Sequence, residues 1–118
     1  MTENIFCHIR QPEGAAADII KQINLLECPI VSLDTPFGLN ATNGIISELV
    51  VKADATLTLA LPKIGLVKNE VAEYVGNPFI ADISVPAVLY RQLGLTIESL
   101  FDGNRIIPYP SCEVHPSV

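Results

Sequence analysis

The sequence predicts an α/β fold in which a mostly parallel β-sheet is flanked by helices. Residues 15–26 have the apolar spacing of an amphipathic helix. The next segment, Val31–Leu33, belongs to a short apolar run that is typical of a strand in a parallel sheet. Residues 53–61 then alternate between apolar and polar side chains, which indicates another strand. This order suits a βαβ arrangement with right-handed crossovers.

The amino-terminal part of this arrangement begins with a possible strand at residues 4–9. A loop at residues 10–14 follows, because the proline and glycine there disfavour regular structure. The predicted helix has one apolar stripe, and Pro29 ends the helix. The residues of that stripe are Ala16, Ile19, Ile20, Ile23 and Leu26.

A candidate functional residue, Asp34, stands directly after the strand Val31–Leu33. We expect this strand to be central and buried on both faces, and the loop of residues 35–38 breaks it. Ligands of open parallel sheets bind beyond the carboxyl ends of the strands, so an acid at this point can contact a ligand. The alternative is a structural role, in which the Asp34 carboxylate accepts hydrogen bonds from N–H groups of its own loop.

A second candidate, Lys63, follows the strand at residues 53–61. In that strand Thr56 and Thr58 form a mildly polar face, and leucines form an apolar one. Lys63 should lie at the same edge of the sheet as Asp34, where an ammonium group can contact a phosphate or an amide of a ligand. The alternative is a solvated loop lysine, since lysines are mostly exposed.

The next part of the chain is predicted to add a short helix and a strand. Residues 69–75 can form one or two helical turns, which Asn77 and Pro78 end. Residues 79–83 then form a further strand.

The last predicted helix covers residues 85–93 and ends at a glycine. Pro86 suits its first turn, and Ser84 is a plausible cap. Asp82 is expected to bond the loop that follows the preceding strand, which is a structural role. No regular element is predicted after about Ile107.

The composition excludes some classes of function. The net charge is −6, and the seven lysines and arginines are scattered, which argues against binding to nucleic acid. No apolar run has the length of a membrane span, and no signal peptide is visible, so a cytoplasmic location is expected. The three cysteines lack the spacing of a zinc site. Cys7 and His8 are a weak nucleophile–base candidate, because neighbours on an extended segment point to opposite faces.

Residues 31–44 resemble a signature of the YjeF N-terminal domain family, the NAD(P)H-hydrate epimerases, which reads V-S-x-D-x-P-S-G-L-D-A-x-x-G. Blocks that match further along, in the same order, are residues 52–66, 73–76 and 81–86. The resemblance covers roughly residues 8–107, which correspond to the second half of the family's domain, and leaves residues 108–118 as an irregular tail. It implies a Rossmann-like three-layer fold, present here in part.

The resemblance also implies a substrate and the residues that contact it. Members of the family interconvert the R and S forms of hydrated NAD(P)H, and Asp34 matches their substrate-contacting acid, here expected to be the catalytic acid/base. Residues 8–14 match loosely the glycine-rich loop that contacts the nucleotide portion. The candidate substrate-binding residues are therefore Asp34, Arg10, Pro12, Gly14 and Lys63. Pro12 and Gly14 can instead serve only to set the start of the helix.

The family binds a potassium ion near the substrate, and one ligand is the serine of the D-x-P-S-G motif. Phe37 occupies that position here and offers no oxygen to a hard cation. Asn40 occupies the position of a family acid. The other ligands come from an N-N-G-G-D-G loop and an aspartate in the half of the domain that this sequence does not contain. The resemblance thus implies hydrated NAD(P)H as substrate, without a potassium site in this chain.

The small number of predicted helices has a consequence for partners. Two helices can hardly cover both faces of a parallel sheet, so apolar surface should remain exposed and be met by a partner, either a second copy or a complementing amino-terminal half. Three functions remain open. The chain can be a truncated or divergent epimerase with little activity alone, a non-catalytic binding or dimerisation module, or half of an epimerase that assembles from two chains.

Overall fold

The computed structural model describes residues 11–94 and 101–109 of the 118-residue chain. The possible strand at residues 4–9, the candidate Arg10 and the Cys7–His8 pair lie outside the described residues. The elements in chain order are α1 (Gly14–Asn24), β1 (Val31–Leu33), β2 (Ala55–Leu59), two 3₁₀ turns (Ile64–Leu66 and Asn69–Val71), α2 (Ala72–Val75), β3 (Asn77–Ala81), α3 (Ala87–Gln92) and β4 (Ile106–Pro108).

The four strands form one mostly parallel sheet with helices around it, so the predicted α/β class is confirmed. The strand order follows the chain, with β1–β2 and β2–β3 parallel and β4 antiparallel to β3. In the register, Leu33 lies beside Leu57, which lies beside Phe79. The carboxyl ends of β1, β2 and β3 therefore meet at one edge of the sheet.

One face of the sheet is covered by the protein. Thr56, Thr58 and Ile80 on this face have no exposed surface. The Thr56 hydroxyl donates a hydrogen bond of 2.8 Å to the carbonyl of Val75, which holds α2 over β2. The core beside it comprises Leu39, Val50, Leu66, Val71 and Val75. Buried threonines on a sheet are tolerated when each hydroxyl has a partner, as that of Thr56 does.

The opposite face is apolar and open to solvent, which corrects the expectation of a central strand buried on both faces. Val31 and Leu33 are 67% and 68% exposed, and β1 is an edge strand of the described sheet. Leu57 and Phe79 on the same face are only half-buried. The apolar run in the sequence correctly indicated a strand of a parallel sheet. The same apolar run could not indicate that Val31 and Leu33 are left uncovered by the described residues.

The first helix is confirmed, but its packing differs from the predicted stripe. Ile20 is the buried residue of α1, whereas Ile19 and Leu26 are more than half exposed. The helix is fixed at its end by the side-chain amide of Asn24. This amide donates a hydrogen bond to the Val50 carbonyl and accepts one from the Lys52 N–H. These two hydrogen bonds are 2.8 Å long.

The strand β3 begins earlier than predicted. Gly76, with φ of 63°, ends α2, and Pro78 lies within β3 rather than before it. Pro78 is tolerated there because it stands near the start of the strand, ahead of the residues that pair with β4. β4 itself, which runs to Pro108, was not predicted, since a three-residue strand gives little periodicity.

The start of α3 also differs from the prediction. Ser84 does not cap the helix, and Pro86 occupies the N-cap position instead of the first turn. Ser84 has φ of 63°, and its N–H donates a hydrogen bond of 2.8 Å to the Asp82 carboxylate. The predicted structural role of Asp82 is thus confirmed. Within residues 11–94 and 101–109, no helix has the length and apolar character needed to cross a bilayer.

Candidate functional site

Two neighbouring parallel strands end in the same unusual backbone conformation. Asp34, directly after β1, has φ of 69°, and Ala60, directly after β2, has φ of 68°. At each position the next N–H bonds back to the last carbonyl of the strand, from Thr35 to Leu33 at 2.9 Å and from Leu61 to Leu59 at 2.8 Å. Such tight turns at a residue with a side chain are rare and strained by about 1–3 kcal/mol. Strain of this kind concentrates at binding sites, which makes this edge the candidate site.

The structure brings Asp34 and Lys63 together at this edge. The Lys63 ammonium lies 3.2 Å from a carboxylate oxygen of Asp34. It also donates hydrogen bonds to the Thr58 hydroxyl and, at 3.2 Å, to the carbonyl of Leu59. The Lys63 side chain is 29% exposed and that of Asp34 is 50% exposed. A ligand can therefore reach the carboxylate while the contacts with Thr58 and Leu59 hold the ammonium in place. Lys63 therefore lies on the side of the sheet predicted for it.

Sequence reasoning missed a third residue at this edge, Tyr109. Its hydroxyl accepts a hydrogen bond of 2.5 Å from the Lys63 N–H and donates one of 3.3 Å to the Lys63 carbonyl. Burial raises the pKa of Tyr109 above its usual value, and the bond to the Lys63 backbone offsets part of this rise. The only signal in the sequence was a tyrosine at the end of an Ile-Ile-Pro run that was not recognised as a strand.

The start of α1 carries two more predicted site residues. Pro12 is half-buried, and Gly14, with φ of 57°, opens the helix. Just before them, the side chain of Gln11 accepts a hydrogen bond of 3.2 Å from the N–H of Glu48. This contact ties the start of α1 to the loop that follows Asp34. Among the described residues, neither Pro12 nor Gly14 forms a hydrogen bond with Asp34.

The loop after Asp34 contains a buried hydroxyl that lacks a partner among the described residues. The Thr35 Oγ1 atom is shielded from solvent and makes no hydrogen bond within residues 11–94 and 101–109. Buried polar atoms are nearly always paired in native proteins, so this hydroxyl is a candidate contact for water or a ligand. It adjoins the carboxylate of Asp34 in sequence, at the same edge of the sheet.

Two residues of the loop after Asp34 stand where the family signature has a cation-ligand serine and an acid. Phe37 is 58% exposed and has no side-chain oxygen. Asn40 is buried, and its side-chain oxygen accepts a hydrogen bond of 2.8 Å from the Thr42 N–H, which shapes the turn. We therefore derive no step that passes through a potassium ion.

An open cavity lies at the other end of the strands. Its lining includes Cys28, Ile30, Lys52 and Asp54, which precede β1 and β2, and neither Asp34 nor Lys63 belongs to it. The Asp54 carboxylate is already used, since it accepts a hydrogen bond of 2.7 Å from the Ile30 N–H. Ligands of parallel sheets bind at the carboxyl ends of the strands, so the candidate site is the edge of the sheet at which Asp34 lies.

The strained backbone of Asp34 and the contact of its carboxylate with the Lys63 ammonium, at the carboxyl ends of parallel strands, mark the candidate ligand-binding edge of an α/β domain. Residues 8–65 match the family model described as "YjeF-related protein N-terminus". This match places residues 8–65, about half of the chain, in the YjeF N-terminal family.

Several curated relatives named NAD(P)H-hydrate epimerase are similar to part of this chain. The protein of Limosilactobacillus fermentum is 41% identical over 73 residues, which are 62% of this chain and 35% of that protein. The protein of Truepera radiovictrix is 42% identical over 84 residues, which are 71% and 37%. That of Rhodopirellula baltica is 34% identical over 82 residues, which are 70% and 34%. The chain spans about a third of the length of these relatives.

Proposed function

We propose that this chain provides the Asp34 edge of an NAD(P)H-hydrate epimerase-type site and has little activity alone. Relatives about 40% identical carry the name of that enzyme, and the family model matches residues 8–65, a range that includes Asp34 and Lys63. The substrate is then hydrated NADH or NADPH, and the site belongs in the cytoplasm. The single observation that carries the proposal is the contact of 3.2 Å between Asp34 and Lys63 at a strained strand end.

The chemistry needs a group that moves a proton. Epimerisation inverts one carbon that bears a hydroxyl group, through loss and return of water or through ring opening, and both routes require a positioned acid or base. Asp34 is the half-exposed carboxylate at this edge. Lys63 supplies a fixed positive charge for a phosphate or amide oxygen, and the buried hydroxyl of Thr35, the residue after Asp34, has no hydrogen-bond partner among the described residues.

The nucleotide portion of the substrate is then expected near the start of α1, at Pro12 and Gly14 and at Arg10 before them. Phosphate affinity there should be modest, because Glu13 occupies the N-cap position and places a negative charge beside the helix start. We propose that the chain turns over substrate without potassium bound at position 37, since Phe37 offers no ligand atom.

Replacing Asp34 with asparagine is expected to lower turnover by about a hundredfold or more, because the amide cannot accept or donate the proton. The measurement is the conversion of R-hydrated to S-hydrated NADH by the wild-type chain and by Asp34→Asn, each co-expressed with the part of the Truepera radiovictrix epimerase that lies outside the match, because the chain alone is proposed to have little activity. Asp82→Asn is the matched control, since it neutralises a carboxylate that follows β3 at the same edge of the sheet and keeps an oxygen for the Ser84 N–H. Undiminished turnover in Asp34→Asn would show that the acid/base assignment is wrong.

A second candidate, a non-catalytic binding module, is favoured by the open face of the sheet. This apolar face consists of Val31, Leu33, Ala55, Leu57 and Phe79, and its edge residues are about two-thirds exposed. Parallel sheets normally have both faces covered. Since the match covers only about a third of these relatives, we propose that the part of the domain outside the match covers this face. A second copy of the chain is the alternative cover.

Co-expression tests this assembly. The wild-type chain should co-purify with the part of the Truepera radiovictrix epimerase that lies outside the match, and Leu33→Asp should abolish co-purification, because it buries a charge on the apolar face. Val67→Asp is the control, since Val67 is also exposed, at 55% against 68% for Leu33, but lies in the loop beyond β2. A concentration-dependent dimer without the added segment would instead identify a second copy as the cover, and binding that survives Leu33→Asp would contradict both.

A further inference from the structure

We infer that Tyr109 is a positioning residue for the site, which fixes Lys63 and thereby the orientation of its ammonium group beside Asp34. The inference rests on the proposed function of Asp34 and Lys63 as substrate-contacting residues. It adds a residue from the far end of the described chain, 46 positions after Lys63.

The backbone of Lys63 is held from both sides by one hydroxyl. The Tyr109 hydroxyl accepts from the Lys63 N–H at 2.5 Å and donates to the Lys63 carbonyl at 3.3 Å. The peptide groups on either side of the Lys63 Cα therefore share one fixed partner. The loop after β2 has no regular structure until Ile64, so this contact helps to fix the position of the Lys63 Cα, from which the side chain extends.

Tyr109 is itself anchored to the rigid part of the fold. Its N–H donates a hydrogen bond of 3.0 Å to the carbonyl of Pro78 in β3. Its ring packs against the core cluster that includes Leu66 and Val71. A half-buried tyrosine with an anchored backbone and a packed ring is a stiff support for the loop residue that it contacts.

The position of the Lys63 ammonium depends on this support. From a fixed backbone, the side chain turns back along the strand to the Thr58 hydroxyl, the Leu59 carbonyl and the Asp34 carboxylate. Without the tyrosine hydroxyl, the Lys63 N–H would turn to water, the Lys63 carbonyl would keep only the Leu66 N–H at 3.1 Å, and the loop would sample other conformations. The ammonium would then spend less time beside Asp34, and ligand affinity would fall.

The variant that isolates the hydroxyl is Tyr109→Phe, because it keeps the packed ring and removes both hydrogen bonds. Affinity for hydrated NADH should fall about fivefold, the usual effect of losing a part-buried hydrogen bond. In a Lys63→Met background the same change should have no further effect, because the group that it positions is absent. Tyr74→Phe is the matched control, since Tyr74 also packs against the core cluster but lies away from Lys63.

The outcome of this double-mutant cycle decides the inference. A loss that is equally large in the Lys63→Met background would overturn it, because Tyr109 would then act independently of the ammonium. Failure of Tyr109→Phe to fold would overturn it as well, since a positioning role leaves the packed ring and the sheet intact.

An NMR measurement separates this inference from the proposed function. If the wild-type chain binds no hydrated NADH, the proposed function fails, yet the nuclear Overhauser contact between the Lys63 and Asp34 side chains can still be measured. It should be present in the wild type and in Tyr74→Phe, and weakened in Tyr109→Phe while the β3–β4 contacts persist. An undiminished contact in Tyr109→Phe would overturn the positioning role whatever the protein binds.

Discussion

Replacing Gly76 with alanine is expected to destabilise the protein by several kcal/mol, which for a small domain is enough to leave it largely unfolded. The residue has φ of 63° between α2 and β3, and a side chain is strained in that conformation. An added Cβ would also overlap the backbone carbonyl of Asp54. That carbonyl accepts the Asn77 N–H at 2.9 Å at the start of the β2–β3 pairing, so it cannot move aside without cost.

Two other glycines separate the contributions of strain and overlap. Gly94 has φ of 77° and open space around its Cβ position, so Gly94→Ala should cost only about 1 kcal/mol from backbone strain. Gly65 lacks this positive φ, but its Cβ would overlap the carbonyl of Ala41. Urea unfolding of the three alanine variants measures each effect. If Gly76→Ala were no worse than Gly94→Ala, the close approach of Gly76 to β2 would be contradicted.

The order of elements was predictable from the sequence because it depends on local patterns. The amphipathic spacing of α1, the run at β1 and the alternation in β2 each arise within one segment, and all three elements are present. The exposure of β1 was not predictable in this way. Whether Val31 and Leu33 are covered depends on residues distant in the sequence, and an apolar strand has the same pattern in both cases.

The faces of β2 show a related limit. The alternation of threonine and leucine correctly gave two faces, but the threonine face is the buried one. Thr56 has a partner in the carbonyl of Val75, and Thr58 has one in the ammonium of Lys63. These partners come from loops and short helices after the strand, so hydropathy alone points to the wrong face.

The site was partly predictable for the same reason. Asp34 follows a strand directly and Lys63 follows the next one closely, so strand order alone brings them to one edge. Tyr109 could not be found, because it reaches that edge only through the antiparallel pairing of β4 with β3. The turns at Asp34 and Ala60 also left no signal, since the sequence has no glycine at either position.

The difference between the two faces of the sheet predicts a large difference between two substitutions in the paired strands. Ile80, on the covered face of β3, has no exposed surface, so Ile80→Ala should destabilise by about 2–5 kcal/mol through lost burial and an internal cavity. Leu57, on the open face of β2, is only half-buried. Leu57→Ala should cost distinctly less, because it removes less buried surface and leaves a groove open to water.

Chemical denaturation of the 118-residue chain measures both variants, and a partner that covers the open face should change only one of them. With the complementing segment bound, the cost of Leu57→Ala should rise towards that of Ile80→Ala, since the segment would then cover the exposed part of the Leu57 side chain. Equal costs in the isolated chain would mean that both faces are already covered. A cost for Leu57→Ala that stays small in the complex would mean that the segment binds elsewhere, which would contradict the assembly proposed for the open face.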